Sequence, residues 1–326
     1  MKICILGGGG CFAINAAQYL LQQGHEVIGI GRSMLNPIFS QGIEHTKYRY
    51  HVYLIGPDNE FIMDLLDRER PEVIVNYAAQ GEGAASFRPF SHWKYFYQTN
   101  AVALVDMVAR LAQKPYLKRF VHIGTSELYG PCDRAMKETD PIQPTSPYAA
   151  SKAAFDLHLL SIYKALGFPM NIIRPSNCYV AGQQLHRIIP KALLYAATKR
   201  KLPLHGGGKA EKSYLHAYDL STALHRVIQD APMGEVYNVG PDAPTSIREV
   251  VERCAATAGV SFDDLCEIAG EREGQDSRYW LDCTKIKALG WSQRVSWGDG
   301  LTETHHWILS NLDALAARSD AFRMRA

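Results

Sequence analysis

Five side chains with acid–base character lie close together in the middle of the chain. Thr125, Ser126 and Glu127 follow the apolar run FVHIG, and Tyr148 and Lys152 frame the segment YAASK. Because Tyr148 and Lys152 are four residues apart, a helix places them on one face. A phenol has an ordinary pKa of about 10, and a neighbouring ammonium group favours its ionised form. The spacing therefore predicts a site where a phenolate takes the proton of a hydroxyl group.

A glycine-rich turn near the start of the chain predicts a second part of such a site. The segment GGGGCFA begins at Gly7, and Gly7, Gly10 and Ala13 fit the pattern G-x-x-G-x-x-G/A. Such a turn between a strand and a helix lets a pyrophosphate approach the backbone amides at the helix start. We therefore predict a dinucleotide site that includes Cys11 and Phe12. A flexible turn without a ligand stays open as the alternative.

The end of the second predicted strand, in EVIGIGRS, bears on which dinucleotide binds. NAD sites usually place an acid there against the adenosine ribose, whereas NADP sites have an arginine nearby. Gly31 stands where the acid is expected, and Arg32 and Ser33 follow it. A cation and a hydroxyl group suit a 2′-phosphate, so the sequence favours NADP as the cofactor. NAD stays open, as does a plain surface role for Arg32.

The elements that carry these residues alternate between short apolar strands and helices. Strands are predicted for the runs KICIL, EVIGI, EVIVNYA, KRFVHIG and MNIIRP, with helical patterns between them. Near-continuous apolar strands that alternate with helices are typical of a parallel sheet covered on both faces. We therefore predict an α/β chain with a Rossmann-type, doubly wound parallel sheet.

After about residue 175 the alternation becomes irregular, which predicts a smaller C-terminal α/β domain. The helical pattern AYDLSTALHRVIQ and the strand pattern EVYNVG are predicted to rejoin the first sheet. We expect residues 1–172 with about 217–240 to form the dinucleotide-binding domain. Residues from about 173–216 with 241–326 are expected to form the substrate domain.

Composition narrows the class of protein. Of the 326 residues, 47% are hydrophobic and 21% charged, the net charge is +2, and the 7 cysteines form no C-x-x-C pair. We therefore expect no nucleic-acid partner, no disulfide framework and no metal site. The apolar run at the N-terminus is too short for a signal peptide, and no run is long enough to span a membrane. The expected location is the cytoplasm.

Further motifs follow one another along nearly the whole chain. They are NYAAQ, TSELYG, ETDPIQPTSPYAASK, IIRPSN, LPLHGGGKAEKSYLHAYDL, VYNVG and LDCTKIKALGW. In this combination the chain resembles the extended short-chain dehydrogenase/reductase superfamily (NAD-dependent epimerases and dehydratases) that acts on nucleotide sugars. EVIGIGRS and TSELYG look most like GDP-mannose 4,6-dehydratases. UDP-glucuronate decarboxylases also carry Thr-Ser-Glu, and dTDP-glucose 4,6-dehydratases carry Thr-Asp-Glu.

The resemblance implies a role for each residue of the first cluster. Tyr148 is the base for the C-4 hydroxyl of the sugar, Lys152 holds Tyr148 and the nicotinamide ribose, and Thr125 hydrogen-bonds the C-4 oxygen. Glu127 removes the C-5 proton, which is acidic once C-4 is a ketone. Ser126 replaces an aspartic acid that protonates the leaving hydroxyl in relatives, so Glu127 is expected to deliver that proton. A surface position for Glu127 and a capping role for Ser126 stay open.

The reaction that the resemblance implies runs through a ketone at C-4 and loss of water, with hydride returned to C-6. Its product is a nucleotide-linked 4-keto-6-deoxyhexose, and its cofactor is tightly bound and recycled. A 4-epimerase, a 4-oxidase or reductase, and a uronate decarboxylase stay open, as does a cofactor-binding regulatory protein. Tyr148 and Lys152 disfavour the last, because a pure binder needs no phenol–ammonium pair. The resemblance also implies a homodimer or a higher homo-oligomer.

Further ligands are implied for the cofactor and for a nucleotide-diphosphate sugar. The additional cofactor residues are Ala78, Ala79, Gln80 and Asn100. The substrate residues are Ser86, Arg174, Asn177, Lys209, Lys212 and Arg278. Lys212 stands where relatives often have a diphosphate-binding arginine, and lysine lacks the bidentate fork of arginine. Lys209, Lys212 and Arg278 stay open as surface charges.

Two departures from the family pattern alter the loops that are expected over the sugar. CYVAGQQLHR follows Asn177 where relatives usually continue with Gly-Pro, and GEG at 81–83 replaces a Ser-His-Val run. Glu82 near a sugar would repel a carboxylated substrate, which disfavours the decarboxylase.

Overall fold

The strands and helices are those of a computed structural model that describes residues 1–40, 43, 46–81, 90–270 and 277–321. The strands are β1 (Lys2–Leu6), β2 (Glu26–Gly31), β3 (Tyr48–Val52), β4 (Val73–Asn76), β5 (Arg119–Ile123), β6 (Met170–Pro175), β7 (Asn177–Tyr179), β8 (Leu202–His205), β9 (Glu211–Lys212), β10 (Tyr214–His216), β11 (Val236–Val239), β12 (Thr245–Ser246) and β13 (Cys266–Ala269).

The helices alternate with these strands through the first half of the chain. They are α1 (Cys11–Gln22), α2 (Asn59–Glu69), α3 (Phe90–Tyr97), α4 (Ala103–Leu111), α5 (Pro147–Leu166), α6 (Ile188–Ala197), α7 (Ala217–Asp230), α8 (Ile247–Ala258), α9 (Phe262–Leu265), α10 (Thr284–Ala288), α11 (Trp297–Ser310) and α12 (Leu312–Ala316). A π-helical segment, Gln98–Val102, joins α3 to α4. Among the described residues, no helix is both long and apolar enough to cross a membrane.

Seven parallel strands of the described chain form one sheet, in the order β11-β6-β5-β4-β1-β2-β3. The order of the strands reverses between β1 and β4, and doubly wound sheets bind ligands at such a point. The predicted α/β fold with a Rossmann-type parallel sheet is confirmed. Strand β11 pairs with β6, and α7 packs on α1, so residues of both elements return to this sheet.

Helices cover both faces of the sheet because its strands are apolar on both sides. Helices α1 and α7 contribute Leu20 and Leu224 to the core on one face. Helices α2, α4 and α5 contribute Leu66, Met107 and Phe155 to the core on the other face. A third core lies among α6, α8, α11 and the β8–β13 pair, beyond the carboxyl ends of the main strands.

The sequence patterns did not predict β3, α3 or α6. Strand β3 reads YRYHV and lies at the edge of the sheet, where Arg49 and His51 alternate with the tyrosines, so it lacks the continuous apolar run of the inner strands. Helix α6 follows the unusual CYVAGQQLHR segment and has Pro190 in its first turn, where proline is compatible with a helix. The omission of α6 matters for the site, because its residues line the cavity, and β3 lies beneath the glycine turn.

Candidate active site

A cavity of about 780 Å³ opens at the carboxyl ends of β1, β4, β5 and β6 and extends to β8 of the third core. Its wall includes the glycine turn after β1, residues that follow β4, β5 and β6, and the first turn of α5. Cavities of this size hold small molecules and cofactors. The sequence-predicted residues that line it are Gly7, Gly10, Cys11, Phe12, Ala79, Thr125, Glu127, Tyr148, Lys152, Asn177 and Lys212.

The glycine turn is shaped for an anion at the start of α1. Gly7 has a φ of +76°, and a Cβ on it would lie 2.5 Å from the Ala78 backbone nitrogen, so only glycine fits there. Gly10 caps α1 without a side-chain hydrogen bond, and the first turn contains no acidic residue. The first amides of α1 therefore face the cavity wall without a competing side chain, which fits a pyrophosphate.

Thr125 and Glu127 enter the cavity from the turn that follows β5. The Thr125 Oγ1 atom accepts a hydrogen bond of 3.2 Å from the Glu127 amide and so caps a short 3₁₀ helix, Ser126–Tyr129. Thr125 is buried, and Glu127 is half-buried in the cavity wall. Of the three residues in the motif, Ser126 alone is outside the lining, and its buried Oγ makes no hydrogen bond to any described residue.

Tyr148 and Lys152 project from the first turns of α5, as their spacing predicts. Ser146 caps this helix by accepting a hydrogen bond from the Ala149 amide, and Pro147 occupies its first position. Tyr148 is half-buried in the cavity wall, and Lys152 is 2% exposed. The Lys152 ammonium donates to the Ile123 carbonyl at 2.8 Å. Burial lowers the pKa of Lys152 to about 8, although the Asp156 carboxylate opposes that shift.

A buried polar network supports Lys152 from behind. The His122 Nε2 atom lies 3.3 Å from the Lys152 Nζ and 3.5 Å from the Asp156 Oδ1. Arg174 donates from Nε to Asp156 at 2.9 Å and from a terminal nitrogen to the Tyr129 hydroxyl at 2.7 Å. Burial, Lys152 and Arg174 together hold the pKa of His122 well below its usual range, so its ring is neutral.

Arg174, a predicted substrate ligand, lies beneath the cavity and outside its lining, and its role as a ligand stays a prediction. Arg174 is 2% exposed and lies among the largest fully buried side chains of the described chain, outside the cavity lining. Its guanidinium is committed to Asp156 and Tyr129 because a buried charge needs a partner. Arg174 therefore stabilises the sheet and α5 beneath the site.

Asn100 also acts from outside the cavity. It is fully buried in the π-helical segment, where its Oδ1 accepts from the Gln80 amide at 2.7 Å and its Nδ2 donates to Ser151 Oγ at 2.9 Å. These bonds tie the loop after β4 to the first turns of α5. Ala79 reaches the cavity, whereas Ala78 and Gln80 are buried behind it. Such π-helical segments are frequent at functional sites.

The residues predicted for the adenosine end follow β2. Arg32 and Ser33 are exposed and come directly after Gly31, the last residue of that strand. They lie beside the glycine turn but outside the lining of the large cavity. Ser86, and Glu82 in the same loop, lie outside the described residues.

Two of the predicted substrate ligands line the cavity, and two others lie outside its lining. Asn177 and the buried Lys212 line the cavity, and the Lys212 Nζ lies 3.5 Å from the centre of the Tyr279 ring. Lys209 is exposed and outside the lining, and the Arg278 Nε donates to the Glu211 carboxylate on the protein surface. Lys209 and Arg278 therefore lie outside the cavity lining, and their role as diphosphate ligands stays a prediction.

Sequence reasoning missed the basic residues that α6 brings to the same wall. His186, Arg187 and Lys191 line the cavity beside β8, and Tyr214 and Tyr77 add phenol groups. Burial, and then Arg187 and Lys191, lower the pKa of His186 to about 4, so this ring is neutral. The run LHRIIPK contains these basic residues. Because no helix was predicted for this run, the sequence did not indicate which way their side chains point.

Comparison with known proteins gives the same picture over most of the chain. Residues 3–240 match the family described as the NAD dependent epimerase/dehydratase family. A dTDP-glucose 4,6-dehydratase of Streptomyces niveus is 33% identical over 242 residues, 74% of this chain and 70% of that protein. The crystal structure of dTDP-glucose 4,6-dehydratase from Bacillus anthracis in complex with NAD has a TM-score of 0.85 at 28% identity, covering 96% of this chain and 98% of that one.

The chain spans about half the length of one larger relative. A trifunctional UDP-glucose 4,6-dehydratase, 3,5-epimerase and reductase of Arabidopsis thaliana is 30% identical over 323 residues, which is 95% of this chain but 47% of that protein. The fold and the cavity define an enzyme of the extended short-chain dehydrogenase/reductase type. The chain belongs to the NAD-dependent epimerase/dehydratase family, and its similarity to 4,6-dehydratases makes it 4,6-dehydratase-like.

Proposed function

We propose that the protein is a nucleotide-sugar 4,6-dehydratase that produces a nucleotide-linked 4-keto-6-deoxyhexose. The observation that carries this proposal is the position of Glu127, whose side chain shares the cavity wall with Thr125, Tyr148 and Lys152. Hydride removal and return at C-4 needs no carboxylate there, but proton removal from C-5 does. The curated relative and the solved structure named above are themselves called dTDP-glucose 4,6-dehydratases.

Tyr148 is the proposed base for the C-4 hydroxyl. The nearby Lys152 ammonium favours the phenolate form, and the rigid bond from Lys152 to the Ile123 carbonyl keeps that charge in place. Thr125 is held by its bond to the Glu127 amide, so its hydroxyl proton is free to point at the C-4 oxygen. A bound nicotinamide would supply the hydride transfer that no side chain can perform.

Glu127 is the proposed acid and base for the elimination. It takes the C-5 proton once C-4 is a ketone, and then gives a proton to the departing C-6 hydroxyl. Ser126 does not share this work, because its hydroxyl is buried away from the cavity and serine is a weak acid. Glu127 is half-buried in the wall, which keeps one carboxyl group within reach of both positions.

For the cofactor we propose NADP, bound by the glycine turn. Arg32 and Ser33 follow β2 where an NAD site usually offers an acid, and they suit a 2′-phosphate. For the substrate diphosphate we propose Asn177 and Lys212, which line the same cavity as the glycine turn. Arg187, the N-cap residue of α6, and Lys191 within α6 add positive charge to the cavity wall.

The test is product analysis with the purified protein and no added reductant. GDP-, UDP-, dTDP- and CDP-hexoses are incubated separately, and mass spectrometry with NMR identifies the products. The proposal expects loss of one water and a 4-keto-6-deoxy sugar with one of these substrates, and no product from Tyr148→Phe. A product of unchanged mass would show a 4-epimerase, loss of carbon dioxide from a uronate would show a decarboxylase, and either result would overturn the proposal.

A further inference from the structure

Two tyrosines of the edge strand β3 lie beneath the glycine turn. Tyr48 and Tyr50 are two residues apart and therefore share one face of the strand. The Tyr48 hydroxyl donates to the Gly8 carbonyl, within the glycine turn, at 2.9 Å. The Tyr50 hydroxyl donates to the Ser33 carbonyl at 2.9 Å, at the end of β2. Strand β3 thus supports both the glycine turn and the segment that carries Arg32.

The first tyrosine fills buried space that two glycines leave. A Cβ on Gly29 would lie 1.9 Å from the Tyr48 hydroxyl oxygen, and a Cβ on Gly8 would lie 2.3 Å from it. Tyr48 is 3% exposed, and it belongs to the core under α1. Its contacts are with Gly8 in the glycine turn and with Gly29 in β2.

The second tyrosine fills the equivalent space one step nearer the surface. A Cβ on Gly31 would lie 2.2 Å from the Tyr50 hydroxyl oxygen, and a Cβ on Gly9 would lie 2.6 Å from it. Heavy-atom separations this short are steric overlaps, so no side chain fits at position 31 while Tyr50 keeps its place. Tyr50 is half-buried, so its hydroxyl lies near the rim of the turn rather than in the core.

Position 31 is where an acid reaches the adenosine ribose in NAD sites, and such an acid would repel a 2′-phosphate. We propose that Tyr50 is a specificity-determining residue that occupies the notch between Gly9 and Gly31, excludes an acid from position 31 and anchors the Arg32–Ser33 backbone at the ribose. The 2′ position of a bound dinucleotide then meets a phenol, a cation and a hydroxyl instead of a carboxylate. This inference rests on the proposed use of NADP and names the structural reason for it.

The test measures binding of NADP⁺ and NAD⁺ to the full chain by calorimetry, so it does not depend on catalysis. Tyr50→Phe keeps the ring but loses the bond to the Ser33 carbonyl, and it should weaken NADP⁺ binding about two- to tenfold while leaving NAD⁺ binding nearly unchanged. Gly31→Asp alone should weaken both cofactors, because its side chain meets the Tyr50 hydroxyl. Gly31→Asp combined with Tyr50→Ala should reverse the preference toward NAD⁺.

Tyr48→Phe is the matched control, since it removes a hydroxyl group from the same strand face, but that hydroxyl donates to Gly8 of the glycine turn and not to Ser33. It should weaken both cofactors by a similar factor and leave their ratio unchanged. Circular dichroism melting of each variant separates loss of fold from loss of binding. The inference is overturned if Gly31→Asp alone reverses the preference, or if Tyr50→Phe leaves the NADP⁺ to NAD⁺ ratio unchanged. A wild-type preference for NAD⁺ would overturn it together with the proposed cofactor, whereas the dehydratase proposal would stand on its product assay.

Discussion

At the scale of single residues, the site depends on which side chains of one motif face the cavity. The turn after β5 aims Thr125 and Glu127 into it and buries the Ser126 hydroxyl behind it. In the proposed dehydratase reaction, one carboxyl group therefore serves both proton transfers. The Tyr148–Lys152 pair lies on α5, and the Asp156 carboxylate of the same helix is buried outside the cavity lining.

Glu127→Gln should separate oxidation at C-4 from the elimination that follows. The amide cannot take the C-5 proton, so slow reduction of the cofactor should persist while exchange of the C-5 hydrogen with deuterated water is lost. NMR of sugar recovered from deuterated buffer measures that exchange. Ser126→Ala is the control and should retain both exchange and water loss. Exchange that persists in Glu127→Gln would remove Glu127 from its proposed role.

The pH dependence of the rate of C-4 oxidation should follow the charge of Lys152. Burial places its pKa at about 8, so the ammonium is present below that pH and is lost as the pH rises through it. Loss of the positive charge makes the Tyr148 phenolate less favourable, and the rate of C-4 oxidation should therefore decline above a pH of about 8. A single-turnover pH profile measures this. A rate that continues to rise well above that pH would contradict the assignment.

At the scale of elements, buried polar bonds fix how α5 sits against the sheet. Asp156 on α5 pairs with Arg174 on β6, and Ser151 on α5 receives a bond from Asn100. Together they hold the helix turn that carries Tyr148 and Lys152 at the ends of the strands. The residues of the candidate site are therefore supported from the core side, by buried residues outside the cavity lining.

Arg174→Gln should reduce stability without reducing substrate affinity. Removing one partner leaves the Asp156 carboxylate buried with weaker compensation, which typically costs about 3–5 kcal/mol of unfolding free energy. Urea unfolding measures that loss, and the KM for the nucleotide sugar should stay within about twofold. Lys212→Ala is the matched control, and it should raise KM about tenfold with little change in stability, as expected for a lost charge-assisted bond. A large KM increase in Arg174→Gln at intact stability would restore its role as a ligand.

At the scale of the whole molecule, one side of the sheet carries apolar side chains that the chain itself leaves exposed. Tyr97, Val102, Leu157 and Leu166 lie on α3, the π-helical segment and α5, and are 42%, 64%, 54% and 72% exposed. Helices α3 and α5 pack against each other, so these side chains belong to one helical layer. Exposed apolar side chains gathered on one layer indicate an interaction surface.

We expect this layer to form a homodimer, as the family resemblance implies. Light scattering with size exclusion should give about twice the chain mass of 36.4 kDa. Leu157→Glu together with Val102→Glu should shift the protein to a monomer, because charges at the centre of an apolar interface lose their water. Leu309→Glu, at a 48% exposed leucine on α11, is the control and should leave the mass unchanged. A wild-type monomer would contradict the prediction.

The sequence by itself determined the features that depend on near neighbours along the chain. The glycine turn, the Tyr148–Lys152 spacing and the position of Glu127 after β5 follow from strand, turn and helix geometry over a few residues. The alternation of apolar strands with helices was enough to predict the parallel sheet, because a strand covered on both faces must be apolar throughout.

Only the tertiary structure decided which distant side chains meet. Arg174 on β6 pairs with Asp156 on α5. Arg187, directly before α6, lines the same cavity as the glycine turn after β1. Tyr50 reaches Gly31 from a neighbouring strand. No short pattern encodes such contacts, because they depend on strand order, on register and on the space that glycines leave when the sheet closes against its helices.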